Sequence, residues 1–148
     1  MSNPKTIFLM KHLLFIILFF FIYPTGNFAQ KIPVIIHSDG KVMNRDRYLG
    51  NLTSEGGFDQ NGKSISKVED SGITVDSAGR ILGDVAKGSK LFYLCNGVPQ
   101  NYTIVKSSKS NNYIIKNRKG KTYILLDKRY KAQAISAIHF IYENTCVL

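Results

Sequence analysis

The side chains able to do chemistry in this chain are few and scattered. Beyond the first 29 residues there remain two histidines, His37 and His139, and two cysteines, Cys95 and Cys146. No two of these four lie at the short spacing that zinc ligands use, so they predict no metal centre. His139 falls in an apolar stretch and reads as a hydrogen-bonded core residue. Asp39, Asp46, Glu55, Asp59, Asp70, Asp76 and Asp84 lie in or beside turn sequences. Carboxylates there bond the backbone and solvate the chain, and need not form the facing pair of a glycosidase. Asp59-Gln60-Asn61-Gly62 opens like a calcium loop but lacks the later ligands of that pattern. A nucleophile elbow, a P-loop, a dinucleotide fingerprint and a zinc-protease helix are all absent. The sequence therefore predicts no catalytic residue, no metal and no cofactor.

Charge is the more informative chemistry. The net charge is +10 over the whole chain. Nearly all of the excess beyond the amino-terminal segment lies in residues 101–131, where Asp127 is the lone acid. Lys116, Arg118, Lys119, Lys121, Lys128 and Arg129 form a candidate patch for an anionic ligand, with Tyr102, Tyr113, Tyr123 and Tyr130 near enough in sequence to stack on a sugar. The bland reading is a solvated basic face with tyrosines packed across strands.

These groups need a scaffold, and its first part is an export signal. Lys5, Lys11 and His12 precede an unbroken apolar run, Leu13–Tyr23, which is followed by Pro24 and small or polar residues up to Ala29. That is the layout of a secretory signal peptide over 1–29, cut before Gln30. The run is too short to span a bilayer comfortably, which needs roughly 20 apolar residues. An uncleaved signal tethering the domain to the inner membrane is the alternative. In an oxidising compartment Cys95 and Cys146 are a possible disulfide, which would add about 2–4 kcal/mol.

Residues 30–148 read as a single all-β domain built from hairpins. Three windows align without gaps: 40–52, 56–68 and 73–85. Each has an apolar third position (Val42, Phe58, Val75), a turn former at the seventh (Asp46, Gly62, Gly79) and a cation at the eighth (Arg47, Lys63, Arg80). The eleventh position is small (Gly50, Ser66, Gly83), which marks a bulge or a close backbone approach. Less regular hairpins are expected over 91–105 and 113–126. One hairpin cannot bury its apolar face, so about five of them must pack around a shared core. The Ala-rich segment 131–142 is apolar on nearly all sides, so its period does not decide between helix and strand. It is expected to fill or cap the centre.

The stretches 39–50, 72–83 and 114–125, with the tail 131–142, resemble the 5-fold β-flower proteins, small exported proteins mostly of Bacteroidota. The resemblance implies five hairpin petals in a pseudo-symmetric ring. It implies no activity, and no functional residue comes with it. In such a source Asp76-Ser77-Ala78 fits a short O-glycosylation pattern, making Ser77 a candidate. The expectation is a non-catalytic structural or interaction module of the cell envelope, in the periplasm, on the outer surface or secreted. The alternative is a binder of anionic glycan or lipid headgroups through residues 101–131; a small hydrolase is the least favoured. The partners expected are an envelope glycan, a lipid headgroup or another envelope protein, not nucleic acid, with membrane contact only transient and through the signal peptide.

Overall fold

The computed structural model describes residues 33–85 and 88–142. The chain divides into Met1–Lys31, outside the described residues, and Ile32–Leu148, to which every described residue belongs. The expected export signal and its cut therefore fall outside the described residues.

Eleven strands follow one another: β1 (Val34–Ile36), β2 (Lys41–Asn44), β3 (Arg47–Leu52), β4 (Gly56–Asp59), β5 (Ser64–Val68), β6 (Ile73–Asp76), β7 (Ile81–Asp84), β8 (Lys90–Cys95), β9 (Val98–Lys106), β10 (Tyr113–Asn117) and β11 (Thr122–Leu126). They form one sheet in the order β7-β6-β5-β4-β3-β2-β1-β11-β10-β9-β8. Neighbours are antiparallel except β1 and β11, which run parallel. The two ends of the sheet also meet: a Cβ placed on Gly83 of β7 would come within 2.4 Å of the Phe92 carbonyl oxygen in β8. The sheet is thus a nearly closed barrel. The short β1 lies outside the hairpin windows, and it is what joins the first hairpin to the last.

Antiparallel order sends alternate turns to opposite ends. The turns β2–β3, β4–β5, β6–β7, β8–β9 and β10–β11 share one end, here called the tip rim. The turns β1–β2, β3–β4, β5–β6, β7–β8 and β9–β10 share the other, the link rim. After β11 a 3₁₀ turn (Lys128–Gln133) at the link rim leads into helix α1 (Ala134–Tyr142). Asp127 starts this turn by accepting from the Arg129 amide at 3.0 Å. Ala134 to His139 are all buried, and α1 packs on β3, β4, β5, β7, β8 and β11. The tail is a helix, and it fills the barrel.

Three of the tip turns share one construction. Asp59 Oδ1 accepts the Asn61 and Lys63 amides, both at 2.9 Å. Asp76 Oδ1 accepts those of Ala78 and Arg80, again at 2.9 Å. Asn117 Oδ1 accepts those of Lys119 and Lys121 at 3.0 and 3.1 Å. A three-residue loop closing with a positive-φ glycine is a favoured hairpin connection. The other two tips use two residues, Arg45-Asp46 and Asn96-Gly97, with φ of +55° at Arg45 and +50° at Asn96.

That difference in loop length corrects the gapless alignment. Across the hairpins Val42 faces Gly50, Gly57 faces Ser66 and Thr74 faces Gly83. The equivalent of Val42 is therefore Gly57 and Thr74, one residue earlier than Phe58 and Val75. A one-residue slip turns a strand's other face inward. Thr74 and Asp76 are buried, whereas Phe58 and Val75 lie half-buried on the outer face. Lys116 of β10 occupies the same outward place as Phe58 and Val75.

Candidate functional site

The interior of the barrel has two unlike walls. On one, the small eleventh-position residues make room for α1. A Cβ on Gly50 would meet the Phe58 carbonyl oxygen at 2.1 Å and the Phe140 ring at 2.8 Å; one on Gly57 would meet the same ring at 3.0 Å. Gly83 receives Ile135, whose Cδ1 would lie 3.0 Å from such a Cβ. Beside these small residues the strand register shifts, leaving Leu49, Ile65 and Leu82 as the bulged residues. The fourth hairpin, β8–β9, keeps one register throughout, so it has no bulge. The opposite wall supplies bulk instead: Tyr93, Tyr102, Ile104, Ile115 and Ile124 are all buried.

At the tip-rim end of this interior the helix finishes in a polar aromatic cluster. Tyr93 Oη and His139 Nδ1 share a hydrogen bond of 2.8 Å. Tyr102 Oη donates to Tyr142 Oη at 2.7 Å. The Tyr142 ring stacks on Tyr93 and on Tyr123, with centroids 5.6 and 6.1 Å away. Burial pushes His139 below the ordinary histidine range; the Asp76 charge and a bond to the Ile65 backbone act against that shift, and Arg80 acts with it. Burial, then the bond to Tyr142, pushes the Tyr102 hydroxyl well above the usual phenol range, and the same two causes raise Tyr123. Every group here is aimed at another protein group, which is the chemistry of a core lock.

Among the described residues Asp76 is the one acid drawn inward, and its side chain is only 5% exposed. Its Oδ2 accepts from Arg80 Nε at 2.7 Å. Burial raises its carboxyl, but the Arg80 amide, the Arg80 guanidinium and the Ala78 amide outweigh it and hold the group below the usual carboxylate range. The remaining turn carboxylates are divided between rims. Asp39, Glu55, Asp70 and Asp84 lie at the link rim, Asp46 and Asp59 at the tip rim. Among the described residues no group of three or more His, Cys, Asp or Glu side chains is placed to hold a metal ion.

The six-residue basic patch does not come together as one surface. Lys116, Arg118, Lys119 and Lys121 lie at or near the tip rim, but Lys128 and Arg129 lie beyond the far end of β11 at the link rim. Strand β11 has five residues, and that length of strand separates the two groups by roughly 16 Å at about 3.3 Å per residue. Arg129 is also engaged, donating from Nη1 to the Ser38 carbonyl at 3.1 Å. Nor are the nearby tyrosines a stacking platform. Tyr102 and Tyr123 belong to the interior cluster, Tyr113 lies under Lys131 Nζ at 5.2 Å, and Tyr130 reaches the Ser38 carbonyl at 3.5 Å. Ser77 is exposed on the β6–β7 tip. Cys95 is disulfide-bonded; Cys146, the other cysteine of the sequence, lies outside the described residues.

What the patch reading missed is a regularity of topology. The eighth-position cations Arg47, Lys63, Arg80 and Lys121 belong to four different hairpins, yet all fall on one rim. With each charged described residue assigned to the nearer end of its strand, eight cations stand against three acids on the tip rim and eight against six on the link rim. The recurrence of that cation in three windows was the available signal.

No family model matches the chain, and neither the curated proteins nor the solved structures give a match.

Proposed function

We propose that this protein is a non-catalytic, exported interaction module of the cell envelope, with its hairpins set as a β-flower-like pseudo-fivefold ring. The observation that carries this reading is the helix inside the barrel. Ala134 to His139 are buried in the space where a barrel of this kind would otherwise take a ligand. The polar groups at the end of the helix bond to one another. Contact with a partner then falls to the rims, which bear the exposed cations. The ring has irregular units: the first and fourth tips are two residues long, and β1 is an extra strand closing the circle.

The amino-terminal segment supports export, and the disulfide at Cys95 fits an oxidising compartment. Expression of the full chain in a Gram-negative host, followed by fractionation and mass spectrometry of the amino terminus, tests the reading. The expected result is a chain starting at Gln30 in the periplasm, outer membrane or medium. A full-length chain confined to the cytoplasm would overturn it.

A further inference from the structure

The tip rim carries a second feature besides charge. Four large apolar side chains are exposed among the described residues: Tyr48, Ile81, Phe92 and Val98. Three of the four lie at the tip rim, each next to a turn. Tyr48 follows Arg47, Ile81 follows Arg80 and is 55% exposed, and Val98 follows Asn96-Gly97 and is 58% exposed. Phe92 lies within β8, away from the tip.

Sheet order sets these groups around a circle. Starting from Arg45, Arg47 and Tyr48, the rim passes Lys63, then Arg80 with Ile81, then Val98, then Arg118, Lys119 and Lys121. Cationic and apolar side chains therefore occupy neighbouring tips. The acids of this rim are mostly turned into their own loops. Asp59 Oδ1 accepts two amides, and buried Asp76 accepts two amides and the Arg80 guanidinium. The long cations stand free of such bonds at Lys63, Arg118, Lys119 and Lys121, all exposed.

We infer that the tip rim docks on an anionic lipid bilayer, its cations meeting headgroup phosphates and Ile81 and Val98 entering the interfacial layer. The inference rests on the module reading above and names its partner. Charge complementarity explains the cations for any polyanion, but not aliphatic side chains at the same rim. A sugar polyanion is met by charges and aromatic faces, and here Tyr102 and Tyr123 are turned inward and Tyr48, 36% exposed, is less open than Ile81 and Val98. A bilayer offers phosphate and hydrocarbon in one plane, which suits a ring of tips at one end of the barrel. Each surface cation adds about a fivefold gain on an anionic leaflet, lost as salt rises.

The test uses residues Gln30–Leu148, which hold the whole described sheet and core, with folding of each variant checked by circular dichroism. Sedimentation with vesicles of phosphatidylcholine containing 30 mol% phosphatidylglycerol, a composition chosen as about one anionic lipid in three, reads the binding. The triple variant Arg118→Gln, Lys119→Gln, Lys121→Gln is expected to weaken binding on the order of 100-fold. Removing the same charge at the link rim (Lys106→Gln, Lys109→Gln, Lys128→Gln) is expected to change it by no more than about threefold, the distance-screened remainder. Ile81→Ser with Val98→Ser is expected to cost about tenfold while leaving salt dependence unaltered. Equal losses from both triple variants would overturn the proposal. So would absence of binding to these vesicles, or binding of soluble dextran sulfate that ignores Ile81 and Val98, which would point to an acidic glycan. Failure of export appears separately, in the amino-terminal mass, and leaves the vesicle result standing.

Discussion

The two walls of the barrel treat the same helix differently. Strands β3, β4, β5 and β7 present Gly50, Gly57, Ser66 and Gly83, and α1 lies close against them. Strands β8 to β11 present tyrosines and isoleucines instead, and α1 meets β8 and β11 through that bulk. The difference explains why the hairpin pattern fades along the chain. The eleventh position is small at Gly50, Ser66 and Gly83, whereas the equivalent residue of β11, opposite Ile115, is Ile124, fully buried. The loss of the small residue is here a packing requirement, since side chains must fill the interior on that side.

The largest expected effect comes from adding volume to the thin wall. Gly50→Ala places a Cβ against backbone and the Phe140 ring at a φ of +149°. It is expected to destabilise by about 4 kcal/mol or more. Gly62→Ala, at φ +78° with open space around it, is expected to cost only about 1 kcal/mol. Urea unfolding of both variants measures the contrast. Removing volume from the thick wall comes next: Ile124→Ala is expected to cost about 3 kcal/mol through the cavity it leaves, read by the same melts.

Smaller effects come from the aromatic lock. Tyr102→Phe removes the hydroxyl that Tyr142 accepts and is expected to cost about 1 kcal/mol. In wild type, absorbance titration should show Tyr102 and Tyr123 ionising above the ordinary phenol range, because burial raises both. His139 yields a pH dependence. Its folded-state value lies below 6.5, so the unfolded chain takes up the proton first. Stability is then full above the unfolded chain's value of 6.5 and declines as pH falls from there toward the folded-state value. His139→Gln is expected to flatten this limb of the stability profile between about pH 5 and 7.

Much of the scaffold was legible in the residues. Turn formers at Gln60-Asn61-Gly62, Ser77-Ala78-Gly79 and Asn96-Gly97 mark reversals that the structure contains, because left-handed backbone needs such residues. Which face each strand buries was not legible before the first turn, since Arg45-Asp46 is one residue shorter than its counterparts and pleat alternation turns that into a change of face. The helix was ambiguous because 131–142 is apolar all round; only the small residues opposite it reveal that a cylinder must lie there. The site was less legible still. Charge counted along the chain concentrates in residues 101–131, whereas charge counted around the barrel divides those residues between two rims and gathers cations from four hairpins onto one.

The reading of this protein as a closed module turns on whether its helix stays inside the barrel. Native-state hydrogen exchange followed by NMR measures this directly for the amides of Ala137, Ile138 and His139. They are expected to fall in the slowest class, exchanging only with global unfolding, together with the amides of the buried Ile115 and Ile124. Exchange as fast as that of the tip-turn amides, while the strands remain protected, would show that the helix leaves the barrel and opens its interior to a ligand, and would contradict the account.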